Sequence, residues 1–239
     1  MAITNFKGLA KRLDDVDLPR IGHRIGVGED EIHAVLDVET RGGGFFSDGR
    51  IKMLPERHIF YRELGPGPKR DAAVRAGLAY KSWGTKKYPV SADARYTLLR
   101  QMMAIDADAA LRSCSWGLGQ IMGFNCKLAG YPSAAAMVKA FRDDEDVHLE
   151  AMVDFIISTG LHDELRNRDW AGFARGYNGP GYKKNRYDVK LAEAFAKWQR
   201  IPDTPWSPER AEPNPNEGLG LIGALMRFLD LMFNRKAGA

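Results

Sequence analysis

What most limits the folds open to this chain is that its apolar residues recur at three- and four-residue intervals along most of its length, while a single segment carries a clear β signal. Ile32, Val35, Leu36 and Val38 read as one buried helix, preceded by Glu29, Asp30 and Glu31, which suit a helix N-terminus, and stopped by Gly42-Gly43-Gly44. Tyr96, Leu98, Leu99, Met102 and Met103 continue the pattern, as do residues 107–114, the run Leu149, Met152, Val153, Phe155, Ile156, and residues 187–198. Ser133 suits an N-cap for a helix reaching Phe141, and Asp143 or Asp144 for the next. The exception is residues 45–53, where Asp48-Gly49 lies between two short segments able to pair as a hairpin. The fold class expected is therefore mainly α (α+β), a helical domain with a small β-hairpin.

Toward the N-terminus, residues 5–26 are expected to form two short helices, the first burying Phe6, Leu9 and Leu13 and the second Leu18, Ile21 and Ile25. Pro55 opens a helix through Leu64, and Gly65-Pro66-Gly67-Pro68 begins a stretch expected to stay irregular to about Pro89. Pro202, Pro205, Pro208, Pro213 and Pro215 cannot pack as a helix. They divide the chain into a domain at 1–200, a linker at 201–217 and a tail at 218–239. In the tail, Leu219, Ile222, Met226, Leu229 and Phe233 would fall in one stripe of an amphipathic helix ending in Arg235 and Lys236. Such a helix suits contact with an anionic membrane or outer-membrane surface, or docking on the domain.

With 239 residues and 44% hydrophobic content, a sizeable core is within reach. The net charge of +4 favours a polyanionic partner, and a bacterial cell wall and nucleic acid fit equally on charge. No nucleic-acid-binding motif or dense basic stripe is present, so nucleic acid is not expected as a partner. Cys114 and Cys126 have no flanking ligands at metal spacing, and the histidines are scattered, so neither a metal, a cofactor nor a disulfide framework is expected. No secretory signal pattern or membrane-spanning apolar run is visible, which points to synthesis in the cytoplasm.

Three segments have compositions odd for plain structure: Glu39-Thr40 before three glycines, Gly117-Leu118-Gly119-Gln120-Ile121-Met122, and Tyr177-Asn178-Gly179. In this order they resemble the motifs of the lysozyme-like superfamily that includes goose-type lysozymes and soluble lytic transglycosylases. More closely, residues 6–198 resemble the N-acetylmuramidase domain common in endolysins of phages infecting Gram-negative bacteria. The resemblance implies a lysozyme-like fold and hydrolysis of the β-1,4 bond between N-acetylmuramic acid and N-acetylglucosamine in peptidoglycan. It also implies a monomeric enzyme that is made in the host cytoplasm and reaches peptidoglycan in the periplasm after release. Lytic transglycosylation with a 1,6-anhydro product, or a cell-wall-binding module without turnover, are the alternatives.

Glycosidic cleavage needs a carboxylic acid that stays protonated near neutral pH. Glu39 suits it, because an apolar helix precedes it and the helix C-terminal dipole disfavours a negative charge there. An ordinary solvated glutamate beside Arg41 is the alternative. By the resemblance, Gln120 lies near the substrate and Tyr177 supports the acid, with Thr40 and Gly117 as further substrate contacts. Asn178 can bind sugar hydroxyls or simply serve the turn before Gly179, and Trp116 is carried forward as an aromatic for sugar stacking. The second carboxylate is not marked clearly. Glu56, seventeen residues beyond Glu39, is the first choice, with a helix-stabilising first-turn glutamate as the other reading; Asp48 is explained by its turn.

Overall fold

A computed structural model of the chain describes residues 5–39 and 42–208. The chain divides into the units Met1–Thr204 and Pro205–Ala239. The helix expected in the tail, and Thr40, lie outside the described residues.

The described residues form a mainly helical fold with a small antiparallel sheet. In chain order the helices are α1 (Asp17–Ile25), α2 (Glu29–Glu39), α3 (Arg57–Glu63), α4 (Pro68–Arg75), α5 (Ala92–Ile105), α6 (Ala107–Arg112), α7 (Ala134–Ala140), α8 (Glu145–Ser158), α9 (His162–Arg166), α10 (Trp170–Asn178) and α11 (Tyr187–Trp198). The strands are β1 (Met53–Pro55), β2 (Cys114–Trp116) and β3 (Ile121–Met122), hydrogen-bonded in that order. Met53 pairs with Trp116, and Trp116 with Ile121. Side-chain caps fix several helix starts: Ser91 accepts from the Ala94 N–H at 3.2 Å, Asp106 from Ala109 at 2.9 Å, Ser133 from Ala136 at 3.1 Å, and Asp144 from Asp146 at 3.0 Å. Asp144 rather than Asp143 caps α8, while Asp143 accepts from the Leu9 N–H at 3.1 Å.

Two apolar clusters make the core. One gathers Phe60, Tyr96, Leu99, Trp116, Met137 and Phe141 around the sheet. The other gathers Ile21, Ile25, Ile32, Val35, Phe173 and Leu191 from α1, α2, α10 and α11. Helix α8 serves both, giving Ala151 and Phe155 to the first and Leu149, Met152, Val153 and Ile156 to the second. That is why its sequence is apolar on more than one face. The β2–β3 hairpin also straddles the clusters: Trp116 and Ile121 belong to the first, and Leu118 at the tip to the second.

Several expectations about local structure are corrected, and the first concerns Pro55, which closes β1 instead of opening a helix; that helix starts at Arg57. Residues 5–16 form no helix, and Leu9 is 86% exposed. Their backbone instead pairs with the start of α8, the Lys11 N–H reaching the Asp143 carbonyl at 2.9 Å and the Glu145 N–H reaching the Lys11 carbonyl at 3.0 Å. The turn at Asp48-Gly49 does form, with Gly49 at φ +80° and the Phe46 N–H on the Arg50 carbonyl at 2.8 Å. Beyond it the two arms pair as expected, through the antiparallel bridge of Phe45 to Ile51 and the Lys52 N–H on the Gly44 carbonyl at 2.7 Å, while the strand that follows, β1, takes its partner from β2 far along the chain. The stretch expected to be irregular before Pro89 contains α4, started by Pro68 in its first turn. Among the described residues no helix is long and apolar enough to cross a membrane.

Candidate active site

Helix α2 delivers Glu39 at its last residue, and α10 delivers Tyr177 and Asn178 at its own last turn. The Asn178 Nδ2 donates to Glu39 Oε1 at 3.0 Å. One residue earlier, the Tyr177 hydroxyl donates to the Gly119 carbonyl at 3.0 Å, in the loop joining β2 to β3. The three segments singled out in the sequence are thus linked in space, the first to the third through Asn178 and the third to the second through Tyr177. Phe173 stacks on the Tyr177 ring with centroids 5.3 Å apart, and Phe155 meets it edge-on at 5.6 Å.

The Glu39 carboxyl keeps part of its surface open, yet burial pushes its pKa above the usual carboxylate value; the Asn178 hydrogen bond and the nearby Lys190 charge act in the opposite sense. Burial likewise raises the Tyr177 hydroxyl, and the proximity of Glu39 adds to it. Tyr177 therefore stays a neutral donor. Glu39 opens onto a cavity of about 530 Å³ whose other lining residues include Tyr187, Lys190 and Lys197 of α11. That volume lies within the ~300–1,000 Å³ typical of ligand sites.

The Gly117–Gln120 loop is held from inside. Gln120, at φ +48°, accepts from the Ser115 hydroxyl at 2.9 Å and donates to the Gly117 carbonyl at 2.8 Å, so both ends of its amide already brace the hairpin. Gly117 sits at φ +69°, where a Cβ would come within 2.8 Å of both His148 Nδ1 and the Phe141 ring. His148 is fully buried: its Nδ1 accepts from the Leu118 N–H at 3.1 Å, and its Nε2 lies 2.6 Å from the Phe141 carbonyl. These partners select the neutral ring protonated on Nε2. Gly44 also abuts this ring, and its N–H donates to Glu145 at 2.6 Å. Gly44, following Glu39, and Gly117, of the hairpin, therefore close on the same imidazole.

Trp116 is a correction. It is fully buried, its Nε1–H donates to the Leu111 carbonyl at 3.0 Å, and its ring stacks with Phe6 at 6.0 Å, so no face is open to a sugar. Glu56 precedes α3, but its side chain makes no cap. Its Oε2 instead accepts from the Tyr88 hydroxyl at 2.5 Å and lies 3.2 Å from His58 Nδ1. The small recess it lines is shared with Arg57, His58, Tyr80 and Tyr88, and Glu39 is not among the lining residues. Asp48 accepts from the Arg50 N–H at 3.0 Å and from its guanidinium, which hold its pKa low, as a turn residue would. Among the described residues no group of His, Cys, Asp and Glu is arranged to hold a metal.

The sequence profile of N-acetylmuramidase matches residues 29–199, which takes in Glu39, the hairpin and the end of α10. The chain belongs to the N-acetylmuramidase family. It is a glycoside hydrolase. Among solved structures, this muramidase is similar to the crystal structure of Burkholderia AP3 phage endolysin, with 39% identity, 80% of this chain and 72% of that chain covered, and a TM-score of 0.71. No match is found among curated proteins.

The sequence points to this muramidase's cavity through Glu39 and not through its other lining residues, Tyr187 and Lys190 among them, because residues 187–198 display only a helical period. Their three-residue spacing, continued by Glu193 and Lys197, was the signal available.

Proposed function

We propose that this muramidase acts as an endolysin on the peptidoglycan layer, hydrolysing the β-1,4 bond between N-acetylmuramic acid and N-acetylglucosamine with Glu39 as general acid. The observation that carries this reading is the Glu39 carboxyl itself. Burial favours its neutral form, Asn178 fixes its Oε1, and it fronts a cavity of saccharide size. Glu39 gives its proton to the glycosidic oxygen as positive charge develops at the anomeric carbon of the muramyl sugar, and a water molecule supplies the hydroxyl to that carbon. Tyr177 and Gln120 serve by holding the Gly117–Gln120 loop at the acid. Backbone groups of that loop and the Asn178 amide are the proposed sugar contacts, with Thr40 next to Glu39 in the chain.

Glu56 is the proposed water-activating carboxylate on its place in the sequence, seventeen residues beyond Glu39; Tyr88 and His58 hold it in a recess that Glu39 does not line. Glu39→Gln is expected to lower turnover on purified sacculi by about 10²–10⁴-fold, and Glu56→Gln to lower it clearly but less. Mass spectrometry of the digest is expected to show reducing muramyl ends; a product lighter by one water would mean transglycosylation instead. A Glu39→Gln enzyme with wild-type turnover would overturn the assignment. For the tail, the apolar stripe from Leu219 to Phe233 with its terminal basic pair supports contact with anionic lipid, and truncation from Gly218 is expected to abolish binding to anionic vesicles.

A further inference from the structure

The cavity in front of Glu39 has one wall from α11, where Tyr187, Lys190, Ala194 and Lys197 follow at spacings of three and four residues and so share a face. The charges along this wall are not equivalent. Lys197 Nζ lies 2.9 Å from Asp37 Oδ2, which also accepts from the Trp198 indole N–H at 2.9 Å. Glu193 faces Arg186 at 4.0 Å. Lys190 is exposed and makes no ion pair among the described residues; its ammonium lies 5.5 Å from the centre of the Tyr187 ring.

A free cation in this place works against the acid, because it favours the ionised form of Glu39. The conflict disappears if an anion from the substrate neutralises it. A peptidoglycan strand offers such an anion on one sugar only: the lactyl group of the muramyl unit carries a peptide whose free carboxylates are negative, whereas N-acetylglucosamine is neutral.

We propose that Lys190, with Tyr187 packed beside it, is a subsite for the carboxylates of the muramyl peptide stem and makes the enzyme prefer peptide-bearing glycan to bare glycan. This rests on Glu39 as the acid of the same cavity. Lys190 binds the stem carboxylate as a partly exposed ion pair, and the Tyr187 ring supports the lysine stem and the lactyl side of the sugar.

The test compares soluble uncross-linked strands that carry their peptides with the same strands stripped by an amidase, the lactyl carboxylates that the amidase exposes being capped as neutral methylamides. Lys190→Gln is expected to raise KM several-fold more on peptide-bearing than on stripped strands, lowering the preference by about fivefold, the scale of a partly exposed ion pair. Lys190→Arg is expected to restore the preference. Equal losses of Lys190→Gln on both substrates, with Glu39→Gln inactive on both, would overturn the subsite and leave the acid in place. A Glu39→Gln enzyme still active on both would remove the catalytic reading and the subsite with it.

Discussion

Asn178 and Glu39, residues 139 apart in sequence, meet through a single hydrogen bond of 3.0 Å that joins the ends of two helices. The amide donates, so it stabilises the ionised carboxylate while also fixing its direction. Orientation and acidity are therefore set by the same contact, in opposite senses for a general acid. Asn178→Ala is expected to raise the Glu39 pKa further and to move the alkaline limb of kcat/KM to higher pH. The unanchored side chain should at the same time lower kcat at the optimum by about tenfold, the equivalent of one hydrogen bond. A pH-rate profile with an unmoved alkaline limb would show that Asn178 does not act on Glu39.

Burial of Glu39 has a cost in stability with a definite pH signature. Its folded-state pKa lies above the unfolded value, so the native state holds the proton more tightly than the unfolded chain. Stability from this group is complete below the unfolded pKa and declines as pH rises toward the folded one. Glu39→Gln, neutral at every pH, is expected to melt above wild type at pH 7 and to lose that advantage near pH 4. Thermal melts at the two pH values check this, and an unchanged difference would mean that Glu39 is not desolvated.

Helix α2 was legible because its acidic start, apolar interior and glycine stop all fall within one short segment, and α11 because its period is unbroken. The sheet was not. Strands β2 and β3 hold three and two residues, too few to display a period of two, and the pairing of Met53 with Trp116 is a tertiary choice. Residues 5–16 show the opposite failure: Phe6, Leu9 and Leu13 have helical spacing, but only Phe6 is buried, since the backbone hydrogen bonds go to the segment before α8. Among the proposed site residues, the positions of Glu39, Gly117, Gln120, Tyr177 and Asn178 stand out by composition. Their wiring does not, because which side chain reaches which carbonyl depends on helix ends that only the packed core brings together. Trp116 illustrates the limit: an indole suits a sugar or a core equally by sequence, and complete burial decides for the core.

Two glycines with similar backbone angles separate conformational strain from close packing. Gly42 has φ +82° and nothing within 4 Å of where a Cβ would stand, whereas Gly117 at φ +69° would drive that atom against His148 and Phe141. Gly42→Ala is expected to cost about 1 kcal/mol from the left-handed backbone alone. Gly117→Ala should cost about 2–4 kcal/mol, since strain and overpacking add. Urea unfolding of both variants tests the difference; equal costs would show that the hairpin does not depend on its approach to the imidazole.

His148 ties that hairpin to pH. Burial lowers its pKa to about 4, against which the Phe141 carbonyl, Glu145 and Asp144 act to raise it, while Arg12 adds to the lowering. The folded pKa is below the unfolded value near 6.5, so between these limits the unfolded chain binds the extra proton. Stability is full above about pH 6.5 and is lost as pH falls toward about 4, by as much as ~3 kcal/mol. Protonation would also turn Nδ1 from acceptor into donor, facing the Leu118 N–H, and so break the contact that positions the loop beneath Tyr177. Asp146, raised to about 6 by burial, and Glu39 push the stability curve the other way over part of this range. The decisive quantity is consequently the difference between wild type and His148→Gln, in which those groups are common to both proteins. The variant is expected to be less stable at pH 7, having lost ring contacts with Phe45 and Phe141, yet to decline less steeply between about pH 6.5 and 4. Parallel stability curves from denaturant titrations across that interval would mean that His148 is not the group being protonated.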